Sequence, residues 1–406
     1  MHVLFLSTRS PWPLNGGHPL RTFHLLREAA RRHDVSFLTF VQHEEEWEGL
    51  AVLEEFCARV VALPVPSDRS RAALAAALAR NVASPLPFVA QKYDAPAMRA
   101  AIREVCASRP VDLLHMDMLP LSVYAGAAGP VPTVLVDHNV EYVLLERRAK
   151  TERGLSRRFW EAQAHRLKRF EAAAVGAATR TIAVSDVDAA ILRELSPGAE
   201  VRVVPNGVDG DFFQPGAEPE DPDALVFVGA MTHYPNVDSV RYFVEEIFPR
   251  VRAARPGAGL TVIGAHPPES IRAYAATPGV SVAGQVPDIR PFVQKAAVYV
   301  VPLRVGGGTR LKILDAMAMG KAIVSTSVGC EGLEVSDGRD IAMADTPEVF
   351  ARRTLALMED AAARAAMGRA ARETALARYG WERLGAVQEE AYQEAMAAAR
   401  PPLSRP

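Results

Sequence analysis

Short continuous apolar runs alternate with longer Ala/Leu/Arg-rich stretches along most of the chain. In the first half the runs are HVLFLS (2–7), DVSFLTF (34–40), RVVALPV (59–65), VDLLHMD (111–117), PTVLVDH (132–138), RTIAVS (180–185) and VRVVP (201–205). Runs of this length read as strands, and most intervening stretches are long enough for helices. Continuous rather than alternating apolar strands predict a parallel sheet covered on both faces. At 206–224 the texture changes to NGVDGDFFQPGAEPEDPDA, which reads as a linker. Alternation then restarts with LVFVGA (225–230), LTVIGA (260–265), VSVAGQV (280–286), VYVVPL (298–303), AIVSTS (322–327) and DIAMA (340–344). The pattern predicts two doubly wound, Rossmann-like α/β domains, 1–205 and 225–380. WERLGAVQEEAYQEAMAAA (381–399) carries spaced apolar residues for docking, and the tail 400–406 is expected to be disordered.

Length agrees with two domains, since 406 residues exceed one ordinary core. A formal charge of -2 gives no reason to expect nucleic acid as a partner. The three cysteines are scattered, with no CxxC or Cys/His cluster, so neither a zinc site nor a disulfide framework is indicated. A reducing, cytoplasmic setting fits. The opening MHVLFLSTRSPWP has too short an apolar run for a signal peptide, and no 18-residue apolar span free of charge is present.

The sharpest chemistry lies in VPLRVGGGTRLKILDAMAMG (301–320). A strand-like run ends, Gly306, Gly307 and Gly308 follow, and a helix opens near Thr309, Arg310 and Lys312. Glycines admit close approach of a ligand to backbone N–H groups, and a helix N-terminus favours anions. Arg310 adds bidentate phosphate contacts and Lys312 a point charge, which together suit a diphosphate. A tight turn with solvated cations is the ordinary alternative. No GxxxxGK[ST] occurs, and Leu311 stands where a dinucleotide fingerprint needs its third glycine. Asp315 sits in an otherwise apolar helix, and a buried carboxylate needs partners. Ribose hydroxyls would supply them; an ion pair with Lys312 would also serve.

Other strand ends carry weaker signals. NGGHPLR places Gly16, Gly17, His18 and Arg21 after the first strand, as a second Gly-rich loop. VDHNVE places His138, Asn139 and Glu141 after another, where His138 can meet a hydroxyl or handle protons near neutral pH. VVPNGVD with Asn206, FVGAMTHYPNVDSV with Gly229, Met231 and a helix start at Asn236 or Asp238, and GQVPDI with Val286 follow other runs. The basic stretch 146–171, with Phe159 and Trp160, suits either anionic lipid or a plain solvated face.

In this order the motifs resemble retaining glycosyltransferases of the GT-B fold, in the large family 4, over nearly the whole chain. AVSDVDAAIL, GGGTRLKILDAMAMGKAIVSTSVGCEGL and YGWERL complete the match, which is nearest to bacterial exopolysaccharide-associated sugar transferases. The resemblance implies a nucleotide-sugar donor, UDP- or GDP-linked, on the C-terminal domain, and a glycan, lipid-linked or small-molecule acceptor on the N-terminal one. The last helix crosses back to the N-terminal domain. It further implies transfer without metal or cofactor. The cleft closes, and an acceptor hydroxyl attacks the anomeric carbon on the leaving-group face. The diphosphate charge is met by cations and helix N-terminal amides. By the same resemblance Gly16, Gly17, Asn206, Gly229, Met231, Val286, Gly306, Gly307, Gly308, Thr309 and Asp315 bind donor. His138, Arg310 and Lys312 are catalytic, and His18, Arg21, Asn139 and Glu141 meet the acceptor.

Two departures stand out. The family's paired glutamates fall on Gly307 and Asp315, so the first side chain is missing. GAMTHYPNVDS also lacks the Arg and Lys usual after the first strand of the second domain, which moves the diphosphate role to Arg310 and Lys312. The alternatives are a catalytically weak scaffold in a glycan-assembly complex and a nucleotide-sugar 2-epimerase. Peripheral contact with an anionic membrane at the inner face stays open.

Overall fold

The computed structural model describes residues 1–14, 17–217, 219–305 and 311–399. The chain divides into two units, Met1–Pro205 with the segment from Leu384 onward, and Asn206–Arg383.

The first unit is built on seven strands: β1 (His2–Ser7), β2 (Asp34–Val41), β3 (Arg59–Pro64), β4 (Leu113–Asp117), β5 (Thr133–Asp137), β6 (Arg180–Ala183) and β7 (Val201–Val203). Their order is β3-β2-β1-β4-β5-β6-β7, and every pairing is parallel. β1, β4 and β5 are buried along their whole length, as continuous apolar runs require. The chain steps outward from β1 to β3, then returns to β4 on the other side of β1. That reversal opens a crevice at the carboxyl ends of β1 and β4, where ligands of open α/β sheets bind. Register sets Ser7 beside Asp117, and Asp117 beside Val136.

The second unit repeats the plan with β8 (Asp221–Val228), β9 (Gly259–Ile263), β10 (Val280–Gly284), β11 (Ala296–Val301), β12 (Ala322–Ser325) and β13 (Ala342–Met343). The order β10-β9-β8-β11-β12-β13 puts the reversal between β8 and β11. Strand β8 begins at Asp221, inside the segment expected to be linker. The acids there are used: Asp223 pairs with Arg255, and Glu220 bridges Lys321 and, at 3.0 Å, Arg364. The helix after β8 begins at Tyr234, earlier than expected, with Pro235 in its first turn, where a missing N–H costs nothing.

The last helix, Trp381–Ala399, joins the first unit from Leu384 onward. Gln388 Nε2 donates to Leu25 O at 3.2 Å, and the Tyr392 hydroxyl meets His115 Nδ1 at 2.8 Å. His33 Nε2 and Glu389 Oε2 lie 2.5 Å apart. Gly385 is required by contact, because a Cβ there would fall 2.5 Å from Glu28 Cβ.

Candidate functional site

In the first unit the chemistry gathers at the β1/β4/β5 ends. Asp117 ends β4, His138 follows β5, and His18 and Thr22 lie in the first turns of helix Gly17–Ala30. His138 Nε2 donates to Asp117 Oδ1 at 2.7 Å, and Thr22 Oγ1 donates to Oδ2 at 2.5 Å. His18 Nε2 stands 3.5 Å from Oδ2, and its ring meets the His138 ring edge-on at 4.8 Å. Burial alone would raise Asp117, but His138 and His18 hold it well below the usual carboxylate range. Burial lowers His138 to about 4, against the pull of Asp117. At neutral pH this is therefore a carboxylate holding a neutral imidazole. His18, Asp117 and His138 offer ligand atoms within 4.8 Å of one another, the composition of a transition-metal triad. The donors nonetheless satisfy Asp117 internally.

The other expected acceptor residues differ in setting. Arg21 is fully buried, and one guanidinium N–H donates to Pro205 O at 2.7 Å. Through that bond the side chain braces the end of β7. Asn139 is half-buried. Glu141 opens helix Glu141–Thr151, whose first N–H groups are capped by Glu171: Glu171 accepts from Glu141 N at 2.8 Å and Tyr142 N at 2.9 Å. Burial, then the charge of Glu171, pushes Glu141 up to about 7. Burial, then the charge of Glu171, drives Asp137 well above its ordinary range.

In the second unit the groups gather at the ends of β8 and β11. Lys312 Nζ donates to Asn236 Oδ1 at 2.5 Å, and Asn236 Nδ2 donates to Ala230 O at 2.8 Å. The ammonium also lies 4.8 Å from the centre of the Phe227 ring. Lys312 thus comes from the β11 side yet reaches the β8 end, where the sequence itself carries no Arg or Lys. Gly229 makes this possible: a Cβ there would lie 2.7 Å from Asn236 Cγ and 2.8 Å from Lys312 Nζ. Met231 is buried, and its N–H donates to Ala265 O at 2.9 Å. Arg304, just past β11, is gripped by Asp238 at 2.7 and 3.0 Å.

Asp315 is half-buried as a residue, but its Oδ1 is closed to solvent and has no hydrogen-bond partner among the described residues. Lys312 Nζ bonds Asn236 Oδ1, and the described ion pairs include none between Lys312 and Asp315. Burial pushes Asp315 up to about 8. Asn206 and Val286 are half-buried in the same unit, and Val286 packs on its core. Gly16, Gly306, Gly307, Gly308, Thr309 and Arg310 lie outside the described residues. A cavity of about 640 Å³, lined by Asp221, Gly257, Gly279 and Lys295, lies at the amino ends of these strands, opposite to where an open parallel sheet binds ligands.

Comparison with known proteins bears on this layout. Residues 15–212 match the family described as Glycosyltransferase Family 4, and residues 222–360 match Glycosyl transferases group 1. The chain belongs to these glycosyltransferases. Sucrose-phosphate synthase from Thermosynechococcus elongatus has the same fold, with a TM-score of 0.69 at 18% identity over 98% of this chain and 100% of that one. Anabaena Alr3699/HepE, solved with UDP and glucose, gives 0.64 at 14% identity over 97% and 99%. This glycosyltransferase therefore has the GT-B architecture. A stretch of 139 residues is 24% identical to an uncharacterized 44.6 kDa protein in the cps region of Klebsiella pneumoniae; it is 32% of this chain and 36% of that relative.

The sequence reading missed Asp117, Thr22 and Asn236. Asp117 had a signal, as the acid closing the apolar run VDLLHMD. Asn236 had none beyond its place at an expected helix start.

Proposed function

We propose that this glycosyltransferase moves a sugar from a nucleoside-diphosphate sugar to an acceptor hydroxyl with retention of anomeric configuration. The observation that carries the donor assignment is Asp315 Oδ1, a buried acceptor atom with no donor among the described residues, beside the β11 switch point. A ribose hydroxyl is a donor of the right kind. Lys312, fixed on Asn236, and Arg310 then offset the charge that grows on the departing diphosphate, so no metal or cofactor is called for. Gly306, Gly307, Gly308 and Thr309 supply close backbone, and Asn206, Gly229, Met231 and Val286 border the donor. In the first unit, neutral His138, held by Asp117, accepts a hydrogen bond or proton from the acceptor. His18, Asn139 and Glu141 border the acceptor, and Gly16 and Gly17 meet the donor. The UDP and glucose of the HepE structure favour a UDP-sugar. The cps-region relative favours a bacterial cell-surface glycan or lipid-linked acceptor, made in the cytoplasm at the inner face of the membrane.

Family membership favours transfer over the epimerase and scaffold readings. The test is thermal shift against UDP-, GDP-, dTDP- and ADP-sugars with EDTA present, followed by NMR of the product's anomeric centre. A shift with one nucleotide family that Asp315→Asn abolishes supports the donor site. No shift with any donor, in a folded sample, turns the reading to the scaffold. An inverted product refutes retention.

A further inference from the structure

Helix Arg71–Val82 reads RAALAAALARNV, with two arginines, one asparagine and no carboxylate. Only Ala77 and Asn81 in it are buried. Leu74, Leu78 and Val82 are 40%, 38% and 76% exposed, and their four-residue spacing sets them in one stripe. The exposed alanines 72, 75, 76 and 79 widen it. An apolar stripe on a helix normally faces a core, and contiguous exposed apolar surface marks an interaction site.

The helix is nonetheless firmly held. Ser70 Oγ accepts from Ala73 N at 3.1 Å at its start. At its end Arg166 donates to Asn81 O at 2.9 Å and Val82 O at 3.2 Å, and Gln163 Nε2 donates to Asn81 Oδ1 at 2.7 Å. Those two side chains belong to helix Gly154–Ala177. Phe159, one turn before Gln163 on the same face, is 39% exposed. The charge around the stripe is positive. Arg71 and Arg80 flank the leucines, while nearby acids are engaged: Asp68 with Lys92 at 2.8 Å and Glu161 with Arg157 at 2.7 Å.

We infer that helix Arg71–Val82, with Phe159 beside it, docks on an anionic lipid bilayer. An apolar face rimmed by arginines fits the headgroup–acyl boundary, the face entering the boundary and the cations meeting lipid phosphates. The helix, about 18 Å long, lies in the plane of the interface. No helix among the described residues is long and apolar enough to span. The inference deepens the membrane-facing part of the proposed function and is independent of the donor. Of the stretch 146–171, which suited either lipid or a solvated face, it takes Phe159 alone; Arg166 is engaged in capping and Arg148 covers Trp160 at 3.8 Å.

The test is co-sedimentation of the full chain with phosphatidylcholine vesicles, with and without phosphatidylglycerol. The chain should bind the anionic vesicles. Leu74→Ser with Leu78→Ser should lower partitioning by at least about tenfold. Arg71→Ala and Arg80→Ala should each lower it roughly fivefold. Phe292→Ser, at a position 38% exposed in the other unit, should change nothing. Circular dichroism checks that the variants fold. Donor-induced thermal shift should be untouched, which separates failure here from failure of the donor reading. No vesicle binding, or equal binding by wild type and the serine variant, overturns the inference. A concentration-dependent dimer that the serine variant loses and vesicles do not disperse would instead assign the stripe to a second copy.

Discussion

Replacing Asp315 with asparagine tests the donor site through stability alone. The wild-type carboxyl titrates at about 8 in the folded chain because burial disfavours its charged form, against an ordinary 3.8. An acid with a raised folded-state value keeps its proton longer in the native than in the unfolded chain. Stability therefore falls as pH climbs through the window from about 4 to about 8. At about 1.4 kcal/mol per pH unit, the ceiling on this loss between pH 4 and pH 7 is about 4 kcal/mol. Asparagine in the same place also lacks a partner, so part of the burial cost stays, but that part has no pH dependence. Urea melts of wild type and Asp315→Asn at pH 4.5, 6 and 7.5 read the difference directly. The variant should gain on wild type as pH rises, by up to about 4 kcal/mol. Parallel pH profiles would refute the buried, unpartnered state of Asp315. With nucleotide present the order should invert, because ribose donors stabilise the carboxylate and only the wild type offers one.

Three further outcomes follow from the geometry. Gly229→Ala should displace Asn236 and the Lys312 ammonium, costing about 1–3 kcal/mol in a chemical melt and weakening donor binding in calorimetry. Gly264→Ala, whose Cβ would run into the Gly229 carbonyl, should be worse, because backbone cannot swing aside as a lysine can; a melt equal to that of Gly229→Ala would contradict this. Asp117→Asn should lower kcat by about a hundredfold at little change in KM, since the amide no longer fixes His138 with its charge; unchanged kcat would remove His138–Asp117 from the reaction.

The fold was largely legible because strands buried on both faces are written as unbroken apolar runs, and all thirteen expected runs contain or overlap a strand. Boundaries were less so. β8 starts inside a Gly/Pro/acid segment because Asp221 still pairs with Ala296, a long-range contact that local composition does not encode. In the site, Asp315 stood out as a lone acid in an apolar helix. Lys312 was legible as a cation but not its destination, since reaching Asn236 depends on how β8 and β11 lie side by side. Arg21 was legible as a cation after a Gly-rich loop, but its bond to a backbone carbonyl 184 residues away was not.

The two switch points carry the same side chain in opposite states, and the difference identifies what each lacks. Asp117 is buried and Asp315 Oδ1 is closed to solvent, and burial pushes either carboxyl upward. Asp117 is surrounded by donors from two elements, Thr22 and the nearby His18 on one helix and His138 after β5, and stays ionised. Its network is complete, so its task is to orient His138 rather than to bind. Asp315 sits in LKILDAMA, whose other side chains, apart from the Lys312 committed to Asn236, offer no hydrogen-bond donor. Among the described residues nothing completes the hydrogen bonding of Asp315 Oδ1. A missing donor at a strand end of this fold is most economically supplied by a ligand with hydroxyl groups. A proton should then leave Asp315 as that ligand arrives. Calorimetric titration of nucleotide in buffers of differing ionisation enthalpy would count it: close to one proton released at pH 7 supports the site, and none at all would place the ribose elsewhere.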